Sequence, residues 1–409
     1  MTAPAGQFLA GKRIIVAGGS FAALSFILAL EQLWDTSLER PKVILYERDD
    51  RDKSIGKDPY MLNINGASRN DGLIAIQQLG LLNEVRKHAS LNGGDIRVWA
   101  DNWKWLSSIN PTAYGSLPAA TMRVTRADLK RILVEKAETT TRTTLNWGSA
   151  CTSAERLPSG EIRVTISDGA TQDCDLLVAA DGANSTMRAC FRPNDMKTEY
   201  AGASQIGGIS RLPGGVPKPI DKDYGLQMSS GEGVCCIYNP FDKETVAWAV
   251  STVGPEREPK TDFTVAEFED LKKEALETAS MFQEPFKTVV EATMPDTAFI
   301  RPAKEKFAFQ HDASLKGVMF IGDANHILSP FEFVGANLAL KDGWDLAEQI
   351  CSNTSMDAAT ASYDRVSISR FEPVFSFSHE RIGFGHSTGK KWLFYKYGMA
   401  AQRGLKQVH

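Results

Sequence analysis

The stretch that most constrains the fold of this chain is Gly317 to Leu346, GVMFIGDANHILSPFEFVGANLALKDGWDL. Its apolar run, Val318 to Ile321, is strand-length and stops at Gly322-Asp323. A polar loop carrying Pro330 and Gly335 follows, and Ala336-Asn337 then lead into Leu338, Leu340, Leu346, Ala347 and Ile350 at helical spacing. The expectation is strand, loop, helix. A buried strand that ends in Gly-Asp places a carboxylate at its carboxyl end, and the next helix aims free backbone N–H groups at the same spot. Open α/β sheets bind ligands at such a crevice. Taken alone, Gly-Asp is equally an ordinary turn pair.

The same grammar recurs at two other places. Ile14 to Ala17 is an apolar run followed by Gly18-Gly19-Ser20-Phe21-Ala22-Ala23, after which Leu24, Ile27 and Leu28 repeat at helical spacing. The dinucleotide fingerprint GxGxxG thus reads Gly18-x-Ser20-x-x-Ala23. Gly18 serves the tight turn, Ser20 is small enough for a pyrophosphate to approach, and Ala23 still allows close helix-strand packing. A second strand, Val43 to Tyr46, ends in Glu47-Arg48, which places an acid where ribose hydroxyls of an adenosine are bound. Glu47 comes 29 positions after Gly18, later than usual, which fits a helix prolonged through Leu33-Trp34. Leu176 to Ala180 is a further strand, ending in Asp181-Gly182-Ala183-Asn184-Ser185 and followed by Arg188. Strand, turn, helix, strand and acid in this order point to an adenine dinucleotide.

Between these motifs, Asp71 to Leu82 reads as one helix. Trp99, Trp103, Trp105 and Tyr114 fall in a segment rich in Asn, Gly, Ser and Pro, read as aromatics covering a loop in preference to a substrate wall. Thr125 is the expected N-cap of a helix through Ala137, and Arg126 in its first turn is either a surface residue or a phosphate ligand. From Tyr200 to Val253 short runs divided by Gly-Pro clusters predict an antiparallel segment, with Cys235 to Tyr238 and Thr245 to Val250 as strands. Phe263 to Phe282 reads as an amphipathic helix, and the chain from Asp357 as helices.

With 409 residues, 43% of them hydrophobic, the chain is long enough for two domains. A net charge of -4 gives no reason to propose nucleic acid as a partner. The absence of an apolar run of about 18 residues and of a signal-peptide core leads to the expectation of a cytoplasmic protein without an integral membrane segment. Six cysteines without CxxC and six histidines without metal-ligand spacing predict reduced packing residues and no metal site.

Four elements in order make the chain resemble the class A FAD-dependent monooxygenases, the group of para-hydroxybenzoate hydroxylase, and among them the tetracycline-inactivating and fungal secondary-metabolite enzymes. They are the N-terminal turn with Tyr46-Glu47-Arg48, the RxDL segment Arg126 to Leu129, the DG motif Asp181-Gly182, and the GD motif Gly322-Asp323-Ala324 with Pro330, Gly335, Ala336 and Asn337. The resemblance implies an α/β fold: a Rossmann-like FAD-binding domain (1–197 and 295–355), an inserted, mainly antiparallel β-sheet substrate domain (198–294), and C-terminal helices (356–409). It also implies a monomer that binds FAD and uses NAD(P)H and O2 as co-substrates. Gly18, Ser20 and Ala23 would form the pyrophosphate turn, Glu47 would bind the ribose, and Arg48 and Arg126 would contact FAD. Asp181 would assist FAD and the transient NAD(P)H, Asp323 would bind the ribityl chain, and amides near Gly335 to Asn337 would hold the flavin pyrimidine. The implied reaction is insertion of one oxygen atom, through a C4a-hydroperoxyflavin, into a bulky, mostly apolar small-molecule substrate. An FAD-dependent oxidase, dehydrogenase or cyclase is the alternative.

The chain departs from the family pattern where the PxxGQG loop reads Pro330-Phe331-Glu332-Phe333-Val334-Gly335. It departs again at Gly207, which occupies the place of a flavin-facing Arg. Gly207 is expected to leave room for a bulky substrate, with Phe331 on the same wall. Gln205 shares the strand face of Gly207 by period-two alternation and, with Tyr238, is a candidate catalytic contact.

Overall fold

The structure, a computed structural model, describes residues 5–57, 60–89, 95–329 and 334–406, the side chains of 400–406 excepted. Its first third runs β1 (Arg13–Ala17), α1 (Phe21–Leu33), β2 (Lys42–Glu47), α2 (Arg51–Gly56), β3 (Met61–Asn65), α3 (Gly72–Gln78), α4 (Leu82–His88), β4 (Ile96–Ala100), β5 (Trp105–Ile109), β6 (Thr121–Thr125), α5 (Arg126–Ala137) and β7 (Thr143–Trp147). The middle holds β8 (Cys151–Arg156), β9 (Ile162–Ile166), β10 (Thr171–Cys174), β11 (Leu176–Ala179), α6 (Thr186–Phe191), β12 (Glu199–Arg211), β13 (Tyr224–Met228), β14 (Val234–Pro240) and β15 (Thr245–Val253). Then come α7 (Val265–Thr278), α8 (Phe286–Glu291), β16 (Phe299–Glu305), β17 (Val318–Phe320), α9 (Gly335–Ser352), α10 (Met356–Gly385) and α11 (Gly389–Lys406).

The three strand-turn motifs converge in one parallel sheet of order β17-β11-β1-β2-β7. Because neighbouring parallel strands share a direction, the turns after β1, β11 and β17 all open at the same sheet edge. Ile14, Ile15, Val16 and Ala17 are fully buried, as expected for a strand covered on both faces. Helices α1 and α9 lie on one face, where Leu24, Ile27, Leu340 and Leu346 join one core.

A second sheet has seven strands in the order β16-β12-β15-β14-β13-β4-β5. Its pairings are antiparallel except for β13 with β4. The antiparallel expectation for 200–253 is met, yet the sheet is not confined to 198–294, because β4, β5 and β16 belong to it. The expected loop around Trp99 is therefore strand: Trp99 is buried and meets Trp103 edge to face at 5.6 Å. Local composition suggested a loop there, and long-range pairing with β13 overrides it. The expected helix over Asp71 to Leu82 is interrupted at Gly80, whose φ of 71° is left-handed.

One face of the second sheet packs on α7 and α8. Ile206, Cys236, Tyr238, Trp248 and Val250 meet Phe268, Leu271, Phe286 and Val289 there. The helix α7 begins in a capping box, Thr264 with Glu267. The opposite face is met by β6, where Arg123 donates to Asn239, and by the end of α10, where His386 lies against Ser251. Among the described residues no helix is long and apolar enough to cross a membrane, and no cluster of metal-ligating side chains occurs.

Candidate functional site

The turn after β1 is a close approach of two strand ends. Gly18 has a φ of 91°, and a Cβ there would lie 2.6 Å from the Ala180 carbonyl oxygen, so only glycine fits. Ser20 caps α1, its hydroxyl oxygen accepting from the amide of Ala23 at 3.3 Å, and its O–H remains available to a phosphate oxygen. The Glu47 carboxylate accepts from the amides of Gly19 at 2.6 Å and of Asp49 at 3.0 Å. Each of its oxygens keeps a lone pair for a ribose hydroxyl. Arg126 donates to the Lys57 carbonyl at 2.7 Å and lies 5.6 Å from the Phe21 ring at the start of α1. Thr125 caps α5 as expected. Arg48 is exposed, with no ion-pair partner among the described residues.

Lys130 was not among the expected site residues, and its place four positions beyond Arg126 on α5 is the signal that could have found it. It is buried, and its ammonium donates to the Gly19 carbonyl. Burial lowers its pKa to about 8, against the opposing charge of Glu47. The Gly19 peptide is thus held on both sides, by an acid at its N–H and a cation at its carbonyl.

At the second turn Asp181 accepts from the Ser185 hydroxyl at 2.5 Å and from the amide of Met187 at 3.1 Å. Burial pushes its carboxyl above the usual range, and these two donors oppose the shift. Arg188, fully buried, donates to the carbonyls of Ala183 at 2.5 Å and Ala324 at 2.9 Å. One side chain therefore ties the DG turn to the GD turn.

The third turn presents Asp323. Its side chain is open to solvent, yet enough protein surrounds it to push its carboxyl above the usual range. It accepts no hydrogen bond from any described residue, which leaves both oxygens free for the hydroxyls of a ligand. Beside it, α9 starts at Gly335 without a side-chain cap, so the amides of Gly335, Ala336 and Asn337 have no intrahelical acceptor. The Asn337 side chain is spent on packing: it accepts from Asn65 at 2.7 Å and Gly72 at 3.2 Å and donates to the Asn63 carbonyl at 2.9 Å. Pro330 and Phe331 lie outside the described residues.

Beneath the GD turn sits a buried ionic network that sequence reasoning missed. Asp342 accepts from the amide of Gly322 at 2.9 Å, from Arg370 at 2.5 Å and from Ser367 at 3.1 Å, and its carboxylate lies 2.7 Å from His326 Nε2. Arg370 also pairs with Asp345, and Lys341 reaches Asp345 at 3.0 Å. Burial opposes ionisation, but His326 and Arg370 hold Asp342 well below the usual carboxylate range. The available signal was a run of charges, Lys341, Asp342 and Asp345, inside an apolar helix stripe.

On the seven-stranded sheet two expectations change. Tyr238 is fully buried on the α7/α8 face, its hydroxyl donating to Gln227 at 2.7 Å and its ring 5.4 Å from that of Trp103. In the register of β12, β15 and β14, Gln205 pairs with Ser251 and Ser251 with Cys235, whereas Tyr238 shares its face with Cys236. Gln205 and Tyr238 therefore occupy opposite faces, and Tyr238 is a core residue. The second change is at Gly207, where a Cβ would lie 2.2 Å from the Trp248 carbonyl oxygen and 3.0 Å from the Phe299 ring. The expected open space beside Gly207 is filled by backbone and by Phe299.

Free helix-start amides, an unpartnered carboxylate at a strand end, and a glycine turn that a Cβ would close fit a flavin dinucleotide. A family described as FAD binding domain matches residues 71–372. The chain belongs to the class A FAD-dependent monooxygenases. A monooxygenase of Aspergillus candidus, cfoF, is 36% identical over 393 residues, 93% of each chain. The fold is shared with Klebsiella pneumoniae HpxO, solved with FAD and uric acid, at a TM-score of 0.73 and 16% identity over 96% of this chain and 94% of that one. The tetracycline destructase Tet(55) superposes with a TM-score of 0.69 at 16% identity, over 96% and 95%. In this monooxygenase the groups that could hold FAD are Gly18, Ser20 and Glu47 at the first turn and Asp323 with the start of α9 at the third.

Proposed function

We propose that this monooxygenase takes reducing equivalents from NAD(P)H and inserts one atom of O2 into a bulky, mostly apolar aromatic or polycyclic molecule of secondary metabolism, by hydroxylation or epoxidation. We place it in the cytoplasm as a monomer. The observation that carries the reading is the sheet row Leu226, Ile237, Ala249, Gly207 and Phe299, an apolar wall between β3/β6 and the end of α10. The start of α9 is linked to this sheet through β3 and β6. A network of bonds sets this arrangement: Asn337 binds β3, β3 pairs with β6, and Arg123 on β6 donates to Asn239 on β14 at 2.7 Å. FAD supplies the oxygen chemistry when bound, and the chain supplies orientation and water exclusion. Asp323 would accept hydrogen bonds from ribityl hydroxyls, and the first-turn amides of α9 would favour negative charge on the flavin.

The test is product analysis by mass with a panel of polycyclic phenols and aromatic ketones, supplied with NADH or NADPH. A product heavier by one oxygen atom, labelled from 18O2, is expected. Oxidised or cyclised products without added oxygen would move the assignment to an oxidase or cyclase.

A further inference from the structure

Gln205 lies in the middle of β12 and is 3% exposed, yet its Nε2 has no hydrogen-bond partner among the described residues. A buried amide donor left unpaired is costly and marks a position where a ligand completes the bonding. Directly across the strand pair stands Arg301 on β16, in register with Gln205 and on the same sheet face. Arg301 is exposed and forms no ion pair with a described residue. Its guanidinium rests 4.7 Å over the ring of Phe299, the residue that pairs with Gly207 and fills the volume above it. A cation from the neighbouring strand thus stands beside Gln205, carried on an aromatic shelf.

The other groups in the row are neutral. Ser251, across from Gln205 on the other side, lies 2.9 Å from His386 Nε2, and His386 Nδ1 lies 2.7 Å from the Ile382 carbonyl. Burial lowers the pKa of His386 and pushes the Cys235 thiol up to about 12, so neither brings charge near neutral pH. Among the described residues, Arg301 is the one cation in this cross-strand row.

We propose that Gln205 and Arg301 together recognise an acidic oxygen, carboxylate or phenolate, on the aromatic frame of the substrate, a role that rests on this sheet face being the substrate wall. A planar guanidinium matches an oxyanion with two N–H groups, and the Gln205 amide donates a third bond from inside the wall. The apolar row then holds the remaining ring system, and the acid group fixes which ring edge is presented to the flavin.

The experiment uses the FAD holoenzyme and three probes of one shape: 2-naphthoate, 2-naphthol and naphthalene-2-carboxamide. Binding is read from the perturbation of the oxidised flavin spectrum, with 2-naphthol titrated at neutral pH and above its own pKa. We expect 2-naphthoate, ionised 2-naphthol, or both to bind roughly 10- to 100-fold more tightly than the carboxamide, the size of a charge-assisted hydrogen bond. Which of the two gains identifies the source of the oxyanion. Arg301→Gln should erase the preference with flavin content unchanged, and Gln205→Leu should weaken both oxyanions. Equal affinity for charged and neutral probes, a preference that survives Arg301→Gln, or no perturbation by any probe at millimolar concentration would overturn the proposal. Because these readouts need no turnover, they are separate from the oxygen-insertion test.

Discussion

At the cofactor crevice Gly18, Ser20, Glu47, Asp181 and Asp323 stand at strand ends or at the start of the helix that follows, whereas the groups of the proposed substrate wall meet across strands. Gly18 and Ser20 are neighbours in sequence, as are Asp323 and the start of α9, but Gln205 and Arg301 stand 96 positions apart. The crevice therefore depends on backbone geometry, which tolerates changes in side chains. The wall depends on register, where one position decides which face a side chain reaches. Perturbing the two regions should accordingly give different phenotypes.

The largest effect is expected below the crevice, at Asp342. Asp342→Ala leaves Arg370 and His326 in a buried site with one acid fewer, which should cost about 3 to 5 kcal/mol. Urea unfolding would measure it, and a loss below about 1 kcal/mol would mean that the network is not holding the GD turn. Next comes Gly207→Arg on the wall. Overpacking a filled site costs about 1 to 3 kcal/mol, so thermal stability should fall together with activity. A variant with unchanged Tm and reduced kcat/KM would instead restore the reading of Gly207 as open pocket space.

Lys130 sharpens the comparison on the crevice side. Its folded pKa of about 8 lies below the ordinary lysine value of about 10.4. In the apoprotein the burial penalty is therefore fully present below pH 8, and stability rises with pH between the two values. FAD binding follows the opposite sign. Above about pH 8 the cation beside the pyrophosphate turn is lost, and affinity should fall by roughly tenfold, as for a lost charge-assisted contact. Flavin retention on dialysis at pH 7 and pH 9 measures this, and Lys130→Met should be weak at both. Equal retention by the wild type at the two values would remove the electrostatic role. The smallest effect is assigned to Tyr238→Phe, which deletes one hydrogen bond to Gln227. It should cost about 1 kcal/mol of stability and leave kcat/KM unchanged. A large loss of turnover would place Tyr238 back at the substrate.

The same contrast governs what could be read from the chain. The three strand-turn motifs, the Thr125 cap and the parallel sheet they build are local, and apolar runs ending in Gly18, Asp181 and Gly322 display them directly. The face of Tyr238 and the filling of Gly207 were not legible, because both follow from how β12, β14, β15 and β16 align over long separations. Trp99 taught the same lesson, since a loop-like composition yielded to pairing with β13. Lys130, Asp342 and the reach of Arg188 to the GD turn escaped for a related reason: each acts on a turn that lies far from it in sequence or on another element.

The most direct test of the division into crevice and wall is the flavin content of three proteins after gel filtration and denaturation: wild type, Asp323→Ala and Gln205→Leu. The wild type and Gln205→Leu should each release one FAD per chain. Asp323→Ala should release far less, given a loss of roughly 10- to 100-fold in affinity for one charge-assisted bond, while keeping the wild-type Tm. Equal FAD in all three proteins, or FMN in place of FAD, would contradict the account.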